Sequence, residues 1–405
     1  MLAPVGSYES LMAAVQGGAD AVYFGIDNLN MRSRSSVNFS RLDLERISAT
    51  AKKFNLKTYL TLNTVLYEQD LVNARETIDL AKENEIDAVI VSDQAAILYA
   101  REREMPVHLS TQVNISNFEA LKFYASYADV AVLARELNLT QVKNIHDLIC
   151  KHDLRGPSGE RVRIEMFVHG ALCMAISGKC YLSLHEYNHS ANRGKCLQVC
   201  RRSYVVEDKE TGAELEVNNE HVMSPKDLST IHFLNKITGS GVKILKIEGR
   251  ARSPEYVKTV TSCYHEALIS IPGGKYNEDN ISIWQEKLKT VFNRGFWDGY
   301  YLGQKLGEWS KEYGSSATKR KEFIGKSTNY FNKISVAEFH VETGEVKVGD
   351  EILLMGPTTG VVETSIKELR VNFKPVEKAG KSERFSIPVD TIVRRSDKLY
   401  KLVPK

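Results

Sequence analysis

The chain has 405 residues, 42% hydrophobic and 26% charged, the balance of an ordinary folded protein with a sizeable core. Its 54 basic and 51 acidic residues leave a formal charge of +3, too small to bind nucleic acid by bulk electrostatics, so any such contact must come from a local patch. No apolar run approaches the roughly 18 residues that span a bilayer, and the first six residues lack the basic and apolar regions of a secretory signal. The expectation is a cytoplasmic protein without a membrane partner, in a compartment where thiols stay reduced unless they bind metal or do redox work.

In chain order, short β-branched or aromatic runs begin at residues 2–5 and recur at 21–25, 57–63, 88–93, 107–111, 130–135, 164–170 and 242–249, with a less regular one at 222–224. Helix-like periodic segments lie between them, at 8–16, 42–54, 71–84 and 117–127. Strands alternating with helices of this length imply parallel pairing through crossovers, and eight or nine of them predict a TIM-like (β/α)8 barrel over residues 1–318. No Gly-x-Gly-x-x-Gly follows the first strand, which weighs against an open dinucleotide-binding sheet. From Trp309 to Lys321 the chain is polar and ends in Lys319-Arg320-Lys321; it reads as a linker, its basic run as a solvated segment. Alternating runs at 336–341, 351–355, 361–366, 384–388 and 398–403, punctuated by glycines, predict a small all-β barrel over 319–405 with no evident catalytic group.

Four of the six cysteines, Cys173, Cys180, Cys196 and Cys200, fall within 28 residues. They stand among loop-forming and basic residues (Ser177-Gly178-Lys179, Asn192-Arg193-Gly194-Lys195, Arg201-Arg202) that favour thiolate. Four thiolates suit zinc or an iron–sulfur cluster. The close Cys-x2-Cys pairs of zinc ribbons are absent and nearby positive charge would offset a cluster's negative charge, so the cluster is favoured and zinc is the alternative. Cys150 and Cys263 sit in helix-like contexts and read as core residues. The same window contains His185-Glu186-Tyr187-Asn188-His189, which satisfies the His-Glu-x-x-His pattern of zinc peptidases. Its Asn-, Ser- and Gly-rich continuation predicts a loop instead of the catalytic helix that chemistry needs.

In such a barrel, ligand-binding side chains collect at the C-terminal strand ends. The candidates there are Asn63, Asp93, Gln112, Arg135, His169, Glu248 and Arg250. His169 shares a strand face with Glu165 and Phe167, and could transfer protons near the cluster or merely cap the strand. Arg135 and Arg250 could clamp a dicarboxylate or form structural pairs with Glu136 and Glu248. Arg32, Arg34 and Asn38 could touch a phosphate backbone, with a solvated loop the preferred reading. Tyr8, Trp297, Tyr300 and Tyr301 could stack on a base or close a core.

Glu165-Met166-Phe167-Val168-His169-Gly170-Ala171-Leu172-Cys173, followed by Gly178-Lys179-Cys180-Tyr181-Leu182-Ser183, resembles the signature of the collagenase-like peptidase family U32. So do the opening Leu2-Ala3-Pro4-Val5-Gly6-Ser7, the stretch from Gly18 to Gly25, and Leu245-Lys246-Ile247-Glu248-Gly249-Arg250, so that the likeness covers residues 1–310. Some members of that family are named proteases; others act in hydroxylation of tRNA, ribosomal RNA or ubiquinone precursors, several of them with a [4Fe–4S] cluster on four cysteines. The sequence is most similar to the tRNA branch. That resemblance implies hydroxylation of wobble uridine to 5-hydroxyuridine, tRNA as partner, prephenate as oxygen donor and a possible second protein subunit. Cys173, Cys180 and Cys196 match the family's cluster ligands; the fourth position varies between branches, so Cys200 rests on spacing. The expected roles are His169, Glu248 and Arg250 in catalysis and Asn63, Gln112 and Arg135 in substrate binding. A U32-type peptidase and a non-catalytic metal-binding subunit are the alternatives.

Overall fold

The computed structural model describes residues 1–34, 39–202, 204, 207, 209–212, 224–304, 307–310 and 314–405. Seven strands follow one another around a parallel sheet: β1 (Leu2–Pro4), β2 (Ala21–Phe24), β3 (Lys57–Leu62), β4 (Ala88–Val91), β5 (Val107–Leu109), β6 (Val130–Val132) and β7 (Arg163–Gly170). β8 (Asp227–Ser229) pairs antiparallel with the end of β7 and lies outside the ring, with β10 (Phe296–Trp297) beside it. β9 (Ile244–Ile247) closes the ring, pairing parallel with both β7 and β1. The result is the expected closed eight-stranded parallel barrel. The run expected at 222–224 lies largely outside the described residues.

Helices clothe the ring: α1 (Tyr8–Gln16), α2 (Leu44–Lys53), α3 (Leu71–Glu83), α4 (Gln94–Glu102), α5 (Phe118–Ala125), α6 (Leu139–Lys151), then the short α7 (Leu182–Tyr187) and α8 (Leu234–Gly239), and α9 (Pro254–Ser270) and α10 (Glu278–Lys289). Their starts are set by side chains that accept otherwise orphaned backbone N–H groups: Ser7 for α1, Asp93 for α4, Asn117 for α5, and a reciprocal Asn138–Gln141 box for α6. Asp93 is thereby engaged in capping, and its other oxygen accepts from Leu66 N.

The tail is an antiparallel β domain: β11 (Lys319–Phe331), β12 (Val336–Val341), β13 (Glu345–Lys347), β14 (Glu351–Gly356), β15 (Gly360–Ser365), β16 (Arg370–Val371), β17 (Lys374–Pro375), β18 (Lys378–Gly380), β19 (Arg384–Pro388) and β20 (Lys398–Pro404). The supposed basic linker is corrected here, for Lys319-Arg320-Lys321 opens β11, the central strand between β12 and β20. Each cation has an acidic partner: Lys319 pairs with Glu351, Arg320 with Glu322, and Lys321 with Glu255 of α9. Midway along β11, a Cβ on Gly325 would stand 1.9 Å from the carbonyl oxygen of His340, so only glycine permits β12 to approach. Leu353, Met355 and Val361 join the barrel's own core cluster, and the Gln16 amide spans Thr359 O and Val361 N at 2.9 Å each, fixing the tail against α1.

Inside the barrel, Glu165 on β7 and Lys246 on β9 form an ion pair of 2.6 Å, both essentially inaccessible to solvent. Burial alone would raise the Glu165 carboxyl; Lys246 and then His108, 3.7 Å away, outweigh it and bring it down to about 2. Lys246→Met strands this carboxylate and is expected to cost about 3–5 kcal/mol in urea denaturation, whereas the Glu165→Leu/Lys246→Met double variant loses less. Because the folded carboxyl titrates below its free value of 4.5, its stabilisation is present above that value and is lost as pH falls toward 2. The double variant is expected to show a flatter stability profile over that window; an unchanged profile would exclude the pair as its source.

Candidate active site

A pocket opens at the C-terminal ends of the barrel strands, where β3 delivers Asn63, β5 leads to Ser110 and Gln112, β6 to Arg135, β7 to Cys173 and β9 to Glu248 and Arg250. A strap of residues 171–201 covers it. The strap contains α7 and tight turns, and it is pinned to four neighbouring loops. Gly194 O accepts from Arg34 N and Asn192 O from Val65 N; Arg193 pairs with Asp70; Ser177 bonds Asn114 and Glu136. Gly194 has φ +80°, and a Cβ there would lie 2.2 Å from Ser33 Oγ, so the strap can seat against the β2 loop only through a glycine.

All four clustered cysteines line the pocket. Leu182 N–H points to Cys180 Sγ at 3.4 Å, and Cys180 N–H donates to Asn192. As free thiols, Cys180 and Cys200 do not follow the expectation that basic neighbours favour thiolate. Burial pushes Cys200 up to about 11; Arg201 pulls it down, but Cys173, Cys196 and Cys180 raise it further. Cys180 is likewise raised by burial, then by Cys173 and Cys196 against the Leu182 N–H. The four sulfurs are thus within electrostatic reach of one another. Among the described residues, no three His, Cys, Asp or Glu side chains are grouped closely enough to hold a metal ion.

The rest of the wall is cationic. Arg32, Arg135, Arg201, Lys246, Arg250, Arg252 and Arg294 line the pocket against the carboxylate of Glu248. Arg32 donates through Nε and Nη2 to Glu248 Oε1 at 3.1 and 2.7 Å, so the solvated-loop reading of Arg32 is corrected. Burial would raise Glu248, but Arg32, Arg135 and Arg250 bring it down to about 2. Arg250 pairs with neither Glu248 nor any other carboxylate among the described residues; it donates to Asn30 and Thr61 at 3.1 and 2.6 Å, and burial brings it down to about 10. Nor does Arg135 pair with Glu136. Its guanidinium lies 4.0 Å over the Phe167 ring, Nη1 reaches Ala171 O at 3.3 Å, and its buried Nε has no hydrogen-bond partner. Opposite, the Asn63 amide donates to Ser110 and Gln112, each at 3.2 Å.

His169 is placed elsewhere. It is 1% exposed, does not line the pocket, and packs its ring against Tyr256, Tyr264 and Phe296, with Nδ1 3.3 Å from Tyr264 Oη. Burial and Arg252 bring it down to about 3, so it stays neutral and buried, and the expected proton-transfer role is corrected. In the His-Glu-x-x-His segment, His185 and Glu186 do lie on a short helix, but α7 ends at Tyr187 and Asn188 turns at φ +53°, leaving His189 off the helix. Cys263 is buried, as expected, whereas Cys150 is exposed on α6, 3.6 Å from His146. Tyr8 bonds Asp43 and packs under Arg46, and Tyr301 is buried on Phe167 O; neither faces the pocket. Arg34 is exposed, and Asn38 lies outside the described residues. Sequence reasoning missed Lys246, Arg252 and Arg294 as pocket residues; Lys246 and Arg252 stand at two-residue spacing on either side of Glu248 and Arg250, a pattern that could have found them, whereas Arg294 is isolated in sequence.

Residues 6–311 match Peptidase family U32. A "Collagenase" of Porphyromonas gingivalis is 58% identical over 401 residues, covering 99% of this chain and 97% of the relative. The "tRNA hydroxylation protein P1" of Bacillus subtilis is 31% identical over 88% of this chain and 83% of the relative. The "23S rRNA 5-hydroxycytidine C2501 synthase" of Escherichia coli is 34% identical over 95% of this chain, which spans 55% of that longer protein. With the match running through the barrel, the strap and all four clustered cysteines, the chain belongs to Peptidase family U32.

Proposed function

We propose that this chain is an RNA-modifying enzyme that hydroxylates a pyrimidine, the wobble uridine of tRNA, to 5-hydroxyuridine. The observation that carries this reading is the pocket itself: four thiols and seven cations at a barrel mouth, with Glu248 the only lining carboxylate among the described residues. Relatives named for tRNA hydroxylation and for 5-hydroxycytidine synthesis in ribosomal RNA support it. Cys173, Cys180, Cys196 and Cys200 would hold an iron–sulfur cluster. The lack of close Cys-x2-Cys pairs and the cations around the four thiols favour the cluster, with zinc as the alternative. A [4Fe–4S] cluster bound there would supply electron transfer.

The chain's own residues would bind and orient the other reactants. Arg135 and Arg250, without carboxylate partners among the described residues, suit the two carboxylates of a prephenate-like oxygen donor. Asn63 and Gln112 offer neutral hydrogen bonds across the pocket, and the Arg32–Glu248 pair fixes the rim between the β2 and β9 loops. No helix of the described residues is long and apolar enough to cross a membrane.

A second reading, a collagen-cleaving peptidase, is favoured by the 58% identity to a protein of that name. Its chemistry needs an activated nucleophile or a metal-bound water. The Cys150–His146 contact is a thiol beside a base, but it lies on the exposed face of α6, away from the pocket.

Anaerobically prepared protein is expected to be brown and to contain about four irons and four sulfides per chain, lost in Cys180→Ser and Cys196→Ser; stoichiometric zinc without sulfide excludes the cluster. Deleting the gene is expected to remove 5-hydroxyuridine derivatives from tRNA in nucleoside mass spectrometry, with restoration by wild type and not by Cys196→Ser. Unchanged nucleosides together with cleavage of gelatin by the purified protein, abolished by Cys150→Ser, would establish the peptidase instead. Arg135→Met removes a cation that forms no ion pair among the described residues. It is expected to keep the fold while weakening binding of malonate, a dicarboxylate probe, by roughly 10–100-fold in calorimetry.

A further inference from the structure

Beside the cationic pocket lies a second cleft, lined on one side by Trp297, Tyr300 and Trp309 and on the other by the strap. The two cavities share Arg135, Leu172, Cys173, Met174 and Gly178 as a common wall. Trp297 and Tyr300 meet edge to face, with ring centroids 5.3 Å apart at 78°. All three aromatic side chains converge on Gly307, where a Cβ would sit 3.5 Å from Tyr300 Oη, 3.7 Å from Trp309 and 3.8 Å from Trp297. Trp309 is held by a short antiparallel bridge, pairing with Pro225, flanked by Lys226 N to Glu308 O at 3.0 Å and Ser310 N to Ser224 O at 2.7 Å. Trp297 is 5% exposed, and its buried indole N–H has no hydrogen-bond partner. Ring faces, an unanswered donor and a partition that carries both an unpartnered guanidinium N–H and a thiol describe a seat for a flat, polar, aromatic ligand.

We propose that this cleft receives the pyrimidine base of the RNA substrate, splayed from its strand and stacked on Trp309 and Tyr300, while the cationic pocket holds the small anionic reactant. The inference rests on the hydroxylation reading and adds to it where the base sits. Base stacking on aromatic side chains is the general way proteins hold an unpaired nucleotide. The arrangement brings the base edge to the Arg135–Cys173 partition, so the two reactants meet at the wall between the cavities. A proline-rich peptide would also pack on tryptophan, but it carries no phosphate for the guanidinium groups of the adjoining pocket; the described lining of the cleft itself has one guanidinium, Arg135, and one carboxylate, Glu136.

The test uses the full-length protein and uridine 5′-monophosphate, followed by intrinsic fluorescence. Two of the three tryptophans are in the cleft, and the third, Trp284, is buried in α10 beside Tyr276. Uridine 5′-monophosphate is expected to quench the emission, and ribose 5-phosphate, which lacks the base, is not. Trp309→Ala is expected to weaken binding about ten-fold or more, and Trp309→Phe, which keeps a stacking face, to retain it. Equal quenching by ribose 5-phosphate, undiminished binding to Trp309→Ala, or displacement of the nucleotide by a Pro-Pro-Gly repeat peptide would each overturn the assignment. Nucleoside analysis separates this inference from the activity. If Trp309→Ala restores full tRNA hydroxylation to a deletion strain, the base site is wrong and the activity stands. If base-dependent binding holds while tRNA nucleosides do not change, the base site stands and the activity is wrong.

Discussion

Charge buried at the mouth of a barrel must be answered, and this requirement organises the site. Three of the seven pocket cations are met by carboxylates: Arg32 by Glu248, Lys246 by Glu165 and Arg294 by Asp227. Arg135, Arg201, Arg250 and Arg252 are left to carbonyls, amides, hydroxyls and aromatic faces. A guanidinium is always charged and cannot escape its desolvation by losing a proton, unlike a lysine or histidine in the same place. Its remaining recourse is an anion, supplied by thiolates, by a bound carboxylate or phosphate, or by both. The two cavities, the cysteine strap and the proposed reactants all address that one imbalance.

The barrel makes the concentration of cations possible because it separates the cost of holding them from the work they do. The Glu165–Lys246 pair, with His108 beside it, neutralises the interior between β7 and β9. Beyond Glu165, β7 leaves β6, keeps β9 as far as His169, and at its C-terminal end pairs with β8, which lies outside the ring. The chain emerges there as the strap, and its hydrogen bonds to the loops after β2, β3, β5 and β6 hold the thiols over the opening. Each contact is modest alone. Together they fix side chains from segments far apart in sequence to a common wall, which is what binding and orientation require.

Membership of a family with peptidase in its name does not itself assign peptide cleavage, because a barrel of this kind serves many chemistries and the site decides. A pocket of guanidinium groups, neutral amides and thiols is equipped to hold anions and a redox group. A buried neutral His169 and a histidine pair divided by the end of α7 are poorly placed for proteolysis.

Local pattern alone specified much of this protein. Short β-branched or aromatic runs located every strand of the ring, because a strand buried on both faces must be a continuous apolar run. Cysteine crowding between Cys173 and Cys200 marked the strap, since four thiols within one loop-forming stretch have no use in a core. The charged strand β11 was not legible: its opening cations are answered by Glu351 and Glu255, and its close approach to β12 depends on the His340 carbonyl, all at other points of the chain. Nor could the sequence separate Arg135 and Arg250, which lack carboxylate partners, from Arg32, which has Glu248 216 residues away. Pairing of charges is a property of distance in space, and neighbours in sequence such as Arg135 and Glu136 can line the same cleft without forming an ion pair. His169 shows the same limit from the other side. Its place at the end of a barrel strand was readable, but only the packing of α9 and β10 around it decided that the imidazole faces the wall and not the pocket.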